Sequence, residues 1–453
     1  MHEVPDYITM IFTGLLAAMV LCLALEEKIH AKKSVIVGIF AVVTLALATG
    51  LHLVKREAVE ILGHSVSLPI YIPGVDWEVI AIILGSSIFV DVTSKSGLFS
   101  WIAIKLTKVS GGDPLRLLIA YGVMTVVFSA VLNNVTAMII VGTLSAVSLG
   151  KLGRLNKLLG FLLVEGLLTN IGGLLTLISS VPNIIVGNAA GITFVEFFLT
   201  SSPYVVVATA VTIWMGAKVF DIRRLDGIEA QRDAALLVSG FDENDGIESN
   251  NFFWFGSIMT VLFICAMASA SVMPVIKDLG MGYVALSFAA IMLTRYKATA
   301  DRFYQAVDWD LLAFFGCLFI VINMMEHALV LELIGDGLKP IIGLGAQAGT
   351  VALMAASAVA SSVTDNIPLA AMLAKILGGM QIASDSPIWW AVIFGANLGG
   401  NITPIGSAST LVAVTIIHKN NLPMSFAGFV KVAVPFAAVQ LVMAAGYVLL
   451  ILG

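Results

Sequence analysis

Asp365 sits in a polar run, Ser361-Ser362-Val363-Thr364-Asp365-Asn366-Ile367-Pro368, in the middle of an apolar stretch. A carboxylate at the centre of a spanning helix costs about 2.5–3.5 kcal/mol on insertion scales, so an unpaired one needs a partner. No Lys or Arg occurs in that run, in the comparable run Leu132-Asn133-Asn134-Val135-Thr136, or in the two glycine-interrupted segments Asn170–Asn183 and Gly395–Thr410. A cation or a proton is the natural counter-charge, and alternating occupancy by the two would couple their movements. Pro368 suits the first turn of a helix leaving the run. Glu165 is a second carboxylate inside an apolar segment and a second candidate proton carrier; a hydrogen bond to a neighbouring helix is the plainer alternative.

The segment from Gly395 to Thr410 sets Gly399, Gly400, Pro404 and Gly406 among Asn397, Asn401, Thr403, Ser407, Ser409 and Thr410. Gly and Pro weaken or break a helix. The break frees carbonyl and N–H groups that side-chain amides, hydroxyls, water or a bound ion must satisfy. Asn170–Asn183, with Gly172, Gly173 and Pro182, has the same make-up. Small residues in membrane helices also serve close packing. Two such segments, each preceded by a polar run, favour a binding role.

The elements that position these residues follow from composition. Of 453 residues 59% are hydrophobic and 12% charged, with a mean hydropathy of +1.01, where soluble proteins carry roughly 25% charged residues. Apolar runs of about 20 residues cross the hydrocarbon layer, and the expected spans are Tyr7–Leu25, Ser34–Leu53, Trp77–Asp91, Lys157–Asn188, Pro203–Val219, Phe252–Val275, Met281–Thr294, Trp309–Val330, Trp389–Ile417 and Phe429–Leu452. The stretches Leu115–Leu149 and Val351–Gly379 carry the polar runs and read as re-entrant hairpins, since irregular polar backbone at membrane depth must be packed in protein or line a wet cavity. The fold expected is all-α and polytopic, with about ten transmembrane helices, two re-entrant hairpins and two broken helices (157–188 and 389–417) at the midplane. The first residues lack the basic region of a signal peptide, so the first helix is expected to be retained.

Trp77-Glu78 and Trp309-Asp310 open matching spans, and the polar runs and Asn-x-Gly-Gly motifs follow in the same order. Residues 1–220 and 252–453 are therefore expected to form two inverted repeats, joined by a polar cytoplasmic linker, 221–251. With both hairpins re-entrant, the Lys and Arg clusters at 28–33, 95–116, 151–157, 223–232 and 295–302 fall inside, leaving both termini outside. Lys55 and Arg56 are the exceptions. Asp91, Glu326 and His327 close spans and read as interfacial.

Six scattered His and the isolated Cys22, Cys265 and Cys317 offer no haem, cluster or nucleophile pattern. No phosphate-binding loop for a primary pump occurs. The chain is expected to be no enzyme, to need no cofactor and to bind no nucleic acid.

Leu132-Asn-Asn-Val-Thr136, Glu165 with Thr169-Asn170-Ile-Gly-Gly173-Leu-Leu-Thr176, Pro182-Asn183, Ser362-Val-Thr-Asp365-Asn366-Ile-Pro368 and Asn397-Leu-Gly-Gly400 resemble the ArsB/NhaD branch of the ion transporter superfamily. That branch includes NhaD sodium/proton antiporters and the melanosomal P protein; the superfamily also includes divalent-anion/sodium symporters. The resemblance implies a homodimer with a scaffold and an elevator-type transport part, in a prokaryotic plasma (inner) membrane. It implies a site lined by Asn133, Asn134, Thr136, Asn170, Thr176, Asn183, Asp365, Asn366, Asn397, Ser407 and Thr410, with sodium near Asn133, Asn170, Asp365 and Asn397. Two acids of the branch are absent: its Asp-Asn tip is Asn133-Asn134 here, and its Gly-Asp-Pro-Pro-Asn run is Ser179-Ser180-Val181-Pro182-Asn183. The function expected is secondary active ion transport, first as a sodium/proton antiporter. The alternative is a carrier of an anion or oxyanion, such as arsenite or a dicarboxylate, coupled to sodium or protons, because half-helix N-termini bind anions without any Arg.

Overall fold

The computed structural model describes residues 4–54, 58–61, 64–132, 134–247, 249–270, 273–363 and 366–452. In chain order the helices are α1 Asp6–Ala24, α2 Glu26–Ile29, α3 Lys33–Gly50, α4 Trp77–Lys95, α5 Leu98–Ser110, α6 Pro114–Val131, α7 Asn134–Lys151, α8 Leu158–Gly172, α9 Val181–Ala190, α10 Phe194–Val219 and α11 Ile228–Ser239. They continue as α12 Asn250–Ser269, α13 Pro274–Leu293, α14 Asp301–Ala306, α15 Trp309–His327, α16 Val330–Ile342, α17 Ala346–Val363, α18 Asn366–Gly379, α19 Pro387–Gly399, α20 Ala408–Lys419 and α21 Phe426–Tyr447. One antiparallel hairpin, β1 Ala58–Ile61 with β2 His64–Ser67, pairs Val59 with Val66 between α3 and α4. Among the described residues, 12 helices are long and apolar enough to cross a membrane. The chain is thus an all-helical, polytopic membrane protein with one short β-ribbon. The 12 include three hairpin arms, α6, α7 and α17, so length alone would let these arms cross. Their polar ends instead lie inside the molecule: Leu132 is buried beside the first tip and Asn366 beside the second.

The series α4–α10 and α15–α21 follow one plan. Trp77 and Trp309, Leu98 and Val330, Pro114 and Ala346, and Asn134 and Asn366 open corresponding helices at one constant spacing. Local chemistry repeats too: Asp76 caps α4 by accepting from the Glu78 and Val79 N–H groups, and Asp308 caps α15 by accepting from Leu311. Side-chain acceptors at a helix start satisfy N–H groups that have no partner within the helix. Flanking helices cross over, α3 packing along α15 and α13 along α4. At the α4–α13 contact a Cβ on Gly85 would lie 2.4 Å from the Ala285 carbonyl carbon. Gly280, at φ +78°, kinks α13 so that the Met281 N–H donates to the Glu78 carboxylate at 2.9 Å.

The first arms of the broken helices form the centre of the core. Every residue from 160 to 174 and from 389 to 401 is buried, as expected for helices that are apolar all round. The close approach that buries them depends on glycine: a Cβ on Gly172 would lie 2.7 Å from the Val126 carbonyl oxygen, and one on Gly399 would lie 2.4 Å from that of Ala358.

Three expectations change. The fifth span begins at Phe194 rather than Pro203, because Thr193 and Glu196 form a capping box there and the helix runs on through Pro203. The polar linker also packs against the helices. Its α11 buries Ala234 and Val238, Phe241 is buried beyond it, and Glu243 pairs with Lys105 and Lys108 of α5. The span expected at Trp77–Asp91 extends to Lys95, which carries Asp91 away from an interfacial end and into the body of the helix.

Candidate functional site

A cavity of about 520 Å³ lies where the hairpins meet the helix breaks. Its lining includes the first turns of four half-helices: Asn134, Val135 and Thr136 of α7, Val181 and Pro182 of α9, Asn366 and Ile367 of α18, and Ala408 and Ser409 of α20. Helix N-termini present unpaired N–H groups and roughly half a positive charge each. Four of them around one space offer positive helix ends to an anion, opposite the lining carboxylates of Asp91, Asp308 and Asp310. Lys33, at the start of α3, is the one basic residue of the lining among the described residues.

Behind the cavity a polar network joins the two halves twice, in matching ways. Asn170 at the end of α8 donates through Nδ2 to Ser407 Oγ at 2.9 Å and to Asn401 Oδ1 at 2.8 Å. In the opposite sense, the Ser180 hydroxyl donates to Asn397 Oδ1 at 2.8 Å, and Asn397 Nδ2 donates to Asn183 Oδ1 at 2.8 Å. Asn134 reaches Asn170 more loosely, at 3.3 Å. Each break is braced against its own hairpin. The Thr176 hydroxyl donates to the Ala130 carbonyl and the Thr403 hydroxyl to the Ser362 carbonyl, each at 2.6 Å. Ser129 and Ser361 likewise reach the Thr169 and Ala396 carbonyls at 2.6 Å.

Carbonyls freed by the breaks are accounted for by two equivalent side chains. Asn183 Nδ2 donates to the Gly173 and Thr176 carbonyls at 2.6 and 3.1 Å. Thr410 Oγ1 approaches the Ser407 and Pro404 carbonyls at 2.8 and 3.1 Å. Of the expected site residues, Asn134, Thr136, Asn170, Asn366 and Ser407 line the cavity, whereas Thr176, Asn183, Asn397 and Thr410 stand behind it. Asn133 and Asp365 lie outside the described residues. Glu165 is fully buried in α8, accepts a hydrogen bond from Ser145 and lies outside the cavity lining.

The opposite wall comes from α4, which turns Ser86, Ser87, Asp91 and Ser94 toward the cavity. Ser86 Oγ is buried with no hydrogen-bond partner among the described residues. Asp308 and Asp310 add carboxylates near Lys33, and Ser34 donates to Asp310. The sequence signal for this wall was available. Ser87, Asp91 and Ser94 follow the helical repeat, a polar stripe on an otherwise apolar span. No group of three or more His, Cys, Asp or Glu placed to hold a metal ion occurs among the described residues, so a bound cation would rely on neutral oxygens and single carboxylates.

The profile of the CitMHS family, described as a citrate transporter, matches residues 7–395. The chain belongs to this family. An uncharacterized transporter of Mycobacterium tuberculosis is 31% identical over 382 residues, 83% of this chain and 86% of that protein. An uncharacterized transporter of Synechocystis is 24% identical over 95% of this chain and 94% of that protein. The human P protein is 24% identical over 94% of this chain and 60% of its own length. Among solved structures, the YdaH transporter of Alcanivorax borkumensis has a similar fold, with a TM-score of 0.54 at 13% identity over 92% of this chain and 98% of that one. The family member is therefore a membrane transporter of small ions or anions, not an enzyme.

Proposed function

We propose that the chain carries a small anion, a carboxylate or an oxyanion, by secondary transport coupled to sodium or protons. The meeting of four half-helix N-termini at one cavity carries this reading. Backbone N–H groups at helix starts bind carboxylates and oxyanions without basic side chains. Ser180, at the start of α9, makes no side-chain cap to that helix, its hydroxyl being directed to Asn397 instead. Pro182 has no N–H, and the Asn183 and Ile184 N–H groups donate to the Ser180 carbonyl at 3.0 and 3.3 Å, so the Val181 N–H is the donor that α9 offers to a ligand. The family description as a citrate transporter supports the same substrate class.

A second reading, sodium/proton antiport, draws on Asp91, Asp308 and Asp310 in the cavity lining and on Asp365. In the anion reading the same carboxylates hold the coupling cation. The cavity reaches the ends of α3 and α15 that carry Lys33 and Asp308. With both termini outside, those ends are cytoplasmic and the cavity faces inward. The two halves are then inverted repeats, and elevator-type movement of the hairpins and broken helices would carry the site across, within a homodimer. The plasma membrane of a bacterium is the proposed location.

Reconstitution into liposomes separates the readings. Uptake of labelled citrate, succinate or arsenite under an imposed sodium or pH gradient is expected. Dissipation of a pH gradient by sodium or lithium, with no anion uptake, would select antiport. Neither activity in correctly folded protein would overturn both.

A further inference from the structure

A second and larger cavity, about 1130 Å³, lies between α6 and α10, away from the transport site. Its sides are aliphatic, with Ile119, Val123 and Val127 on α6 facing Val206 and Ile213 on α10. Ile119 to Val127 and on to the cavity's far end near Leu115 cover roughly 18 Å of helix. Its floor is formed by Val126 and Leu175, the latter in the break that follows α8. One end differs in kind: Lys218, Arg223 and Arg224 stand there with Asp221.

That basic end is held in place. Asp113, itself buried, caps α6 through Oδ1, which accepts from the Arg116 N–H at 3.0 Å, and uses Oδ2 to accept from the Leu225 N–H at 2.8 Å. Lys157 donates to the Asp221 carbonyl at 2.7 Å. These bonds hold the segment from Asp221 to Leu225 against the start of α6. Lys218 lies over the Trp214 ring at 4.2 Å. Arg223 is engaged with Asp221 at 2.5 Å, while Arg224 has no partner among the described residues. The charge at this end is net positive.

We propose that this groove is a binding site for an anionic phospholipid, with acyl chain along α6 and α10 and phosphate on Lys218, Arg223 and Arg224. Apolar surface between spanning helices is covered by lipid tails, and basic pockets at the cytoplasmic ends of such helices select anionic headgroups. The cations account for headgroup charge and the aliphatic sides account for the chain. A surface polybasic patch would need only the first. The groove floor lies one layer from the break: Val126 carries the carbonyl that Gly172 approaches. Lipid bound there would brace α6 against α10 beside the first broken helix.

The test uses purified, delipidated full-length protein, with melting temperature and native mass spectrometry as readouts. Phosphatidylglycerol is expected to raise the melting temperature and to remain bound, and phosphatidylcholine at equal concentration to do neither. The K218Q/R223Q/R224Q variant should retain at least tenfold less phosphatidylglycerol, while K218R/R223K/R224K retains it. V123W, which fills the groove and leaves the charges intact, should also lose it. Equal stabilisation by both lipids would overturn the proposal, as would undiminished retention in the glutamine variant. Retention by folded V123W equal to that of the unaltered protein would reduce the site to surface charge and overturn the groove.

Discussion

The two sides of the cavity proposed for transport are built on opposite terms. On one side Asn170, with Asn183, Asn397 and Asn401 behind it, is bonded to partners across the halves, and almost every polar group has an assignment. On the other, α4 offers Ser86, Ser87, Asp91 and Ser94 to the open space, and Ser86 Oγ lacks a partner among the described residues. Buried polar groups are strongly held when satisfied and costly when not. The first wall therefore fixes shape and the second leaves capacity to bind. Residues that look alike in sequence, an Asn in a broken helix and a Ser in a straight one, divide between scaffold and site according to whether their hydrogen bonds are already made.

Substitutions can sharpen or break that contrast. The largest effect is expected at Asp365: D365N, which removes the charge proposed to couple the cation, should lower coupled uptake by roughly 100-fold, or about 2.7 kcal/mol. Uptake that stays gradient-driven in D365N would remove this acid from coupling. Next come changes on the satisfied wall. G399A places a Cβ 2.4 Å from the Ala358 carbonyl oxygen, and such overpacking costs about 1–3 kcal/mol. N397A strands Asn183 Oδ1 and Ser180 Oγ, a loss of about 1–3 kcal/mol. Both should lower the melting temperature, and a neutral N397A would break the comparison. On the open wall the pattern should reverse. D91N is expected to weaken activation by the coupling cation about tenfold, or about 1.4 kcal/mol, with an unchanged melting temperature.

The smallest effect concerns the linker. Hydrogen bonding to Lys108 first, and to Lys105 further down, pulls the Glu243 carboxyl down to about 2. Its charged form is favoured by folding, so the tether is fully present above the ordinary value of 4.5 and is lost only as pH falls toward 2. Proteolysis of segment 221–251 should accordingly be flat from pH 9 to 5, and should rise modestly with salt, which screens exposed pairs. A rise between pH 7 and 5 would exclude this tether.

The hairpins and breaks were legible because they violate a simple background. In an apolar chain, Gly172-Gly173, Gly399-Gly400, Pro182 and Pro404 beside amides and hydroxyls have few purely structural explanations. What escaped is amphipathic or short. The α4 stripe is visible as a repeat but reads as a span end at Asp91, whereas α4 continues to Lys95 packed against α13. Helices α5 and α16 are 13 residues each, too short for a span. The capping box of Thr193 and Glu196 marks the start of α10 better than Pro203, which sits within the helix. Whether an amide lines the cavity or holds the break behind it depends on partners in the other half, which no local pattern contains.

In the proposed mode of binding, four half-helix starts gather around one bound anion. Anomalous diffraction from the protein with a heavy-atom anion that it transports, such as an arsenic oxyanion if uptake is seen, tests it directly. One strong peak is expected in the space bounded by Asn134, Ser180, Asn366 and Ser407. A transported anion whose peak lies outside that space at saturation would contradict it.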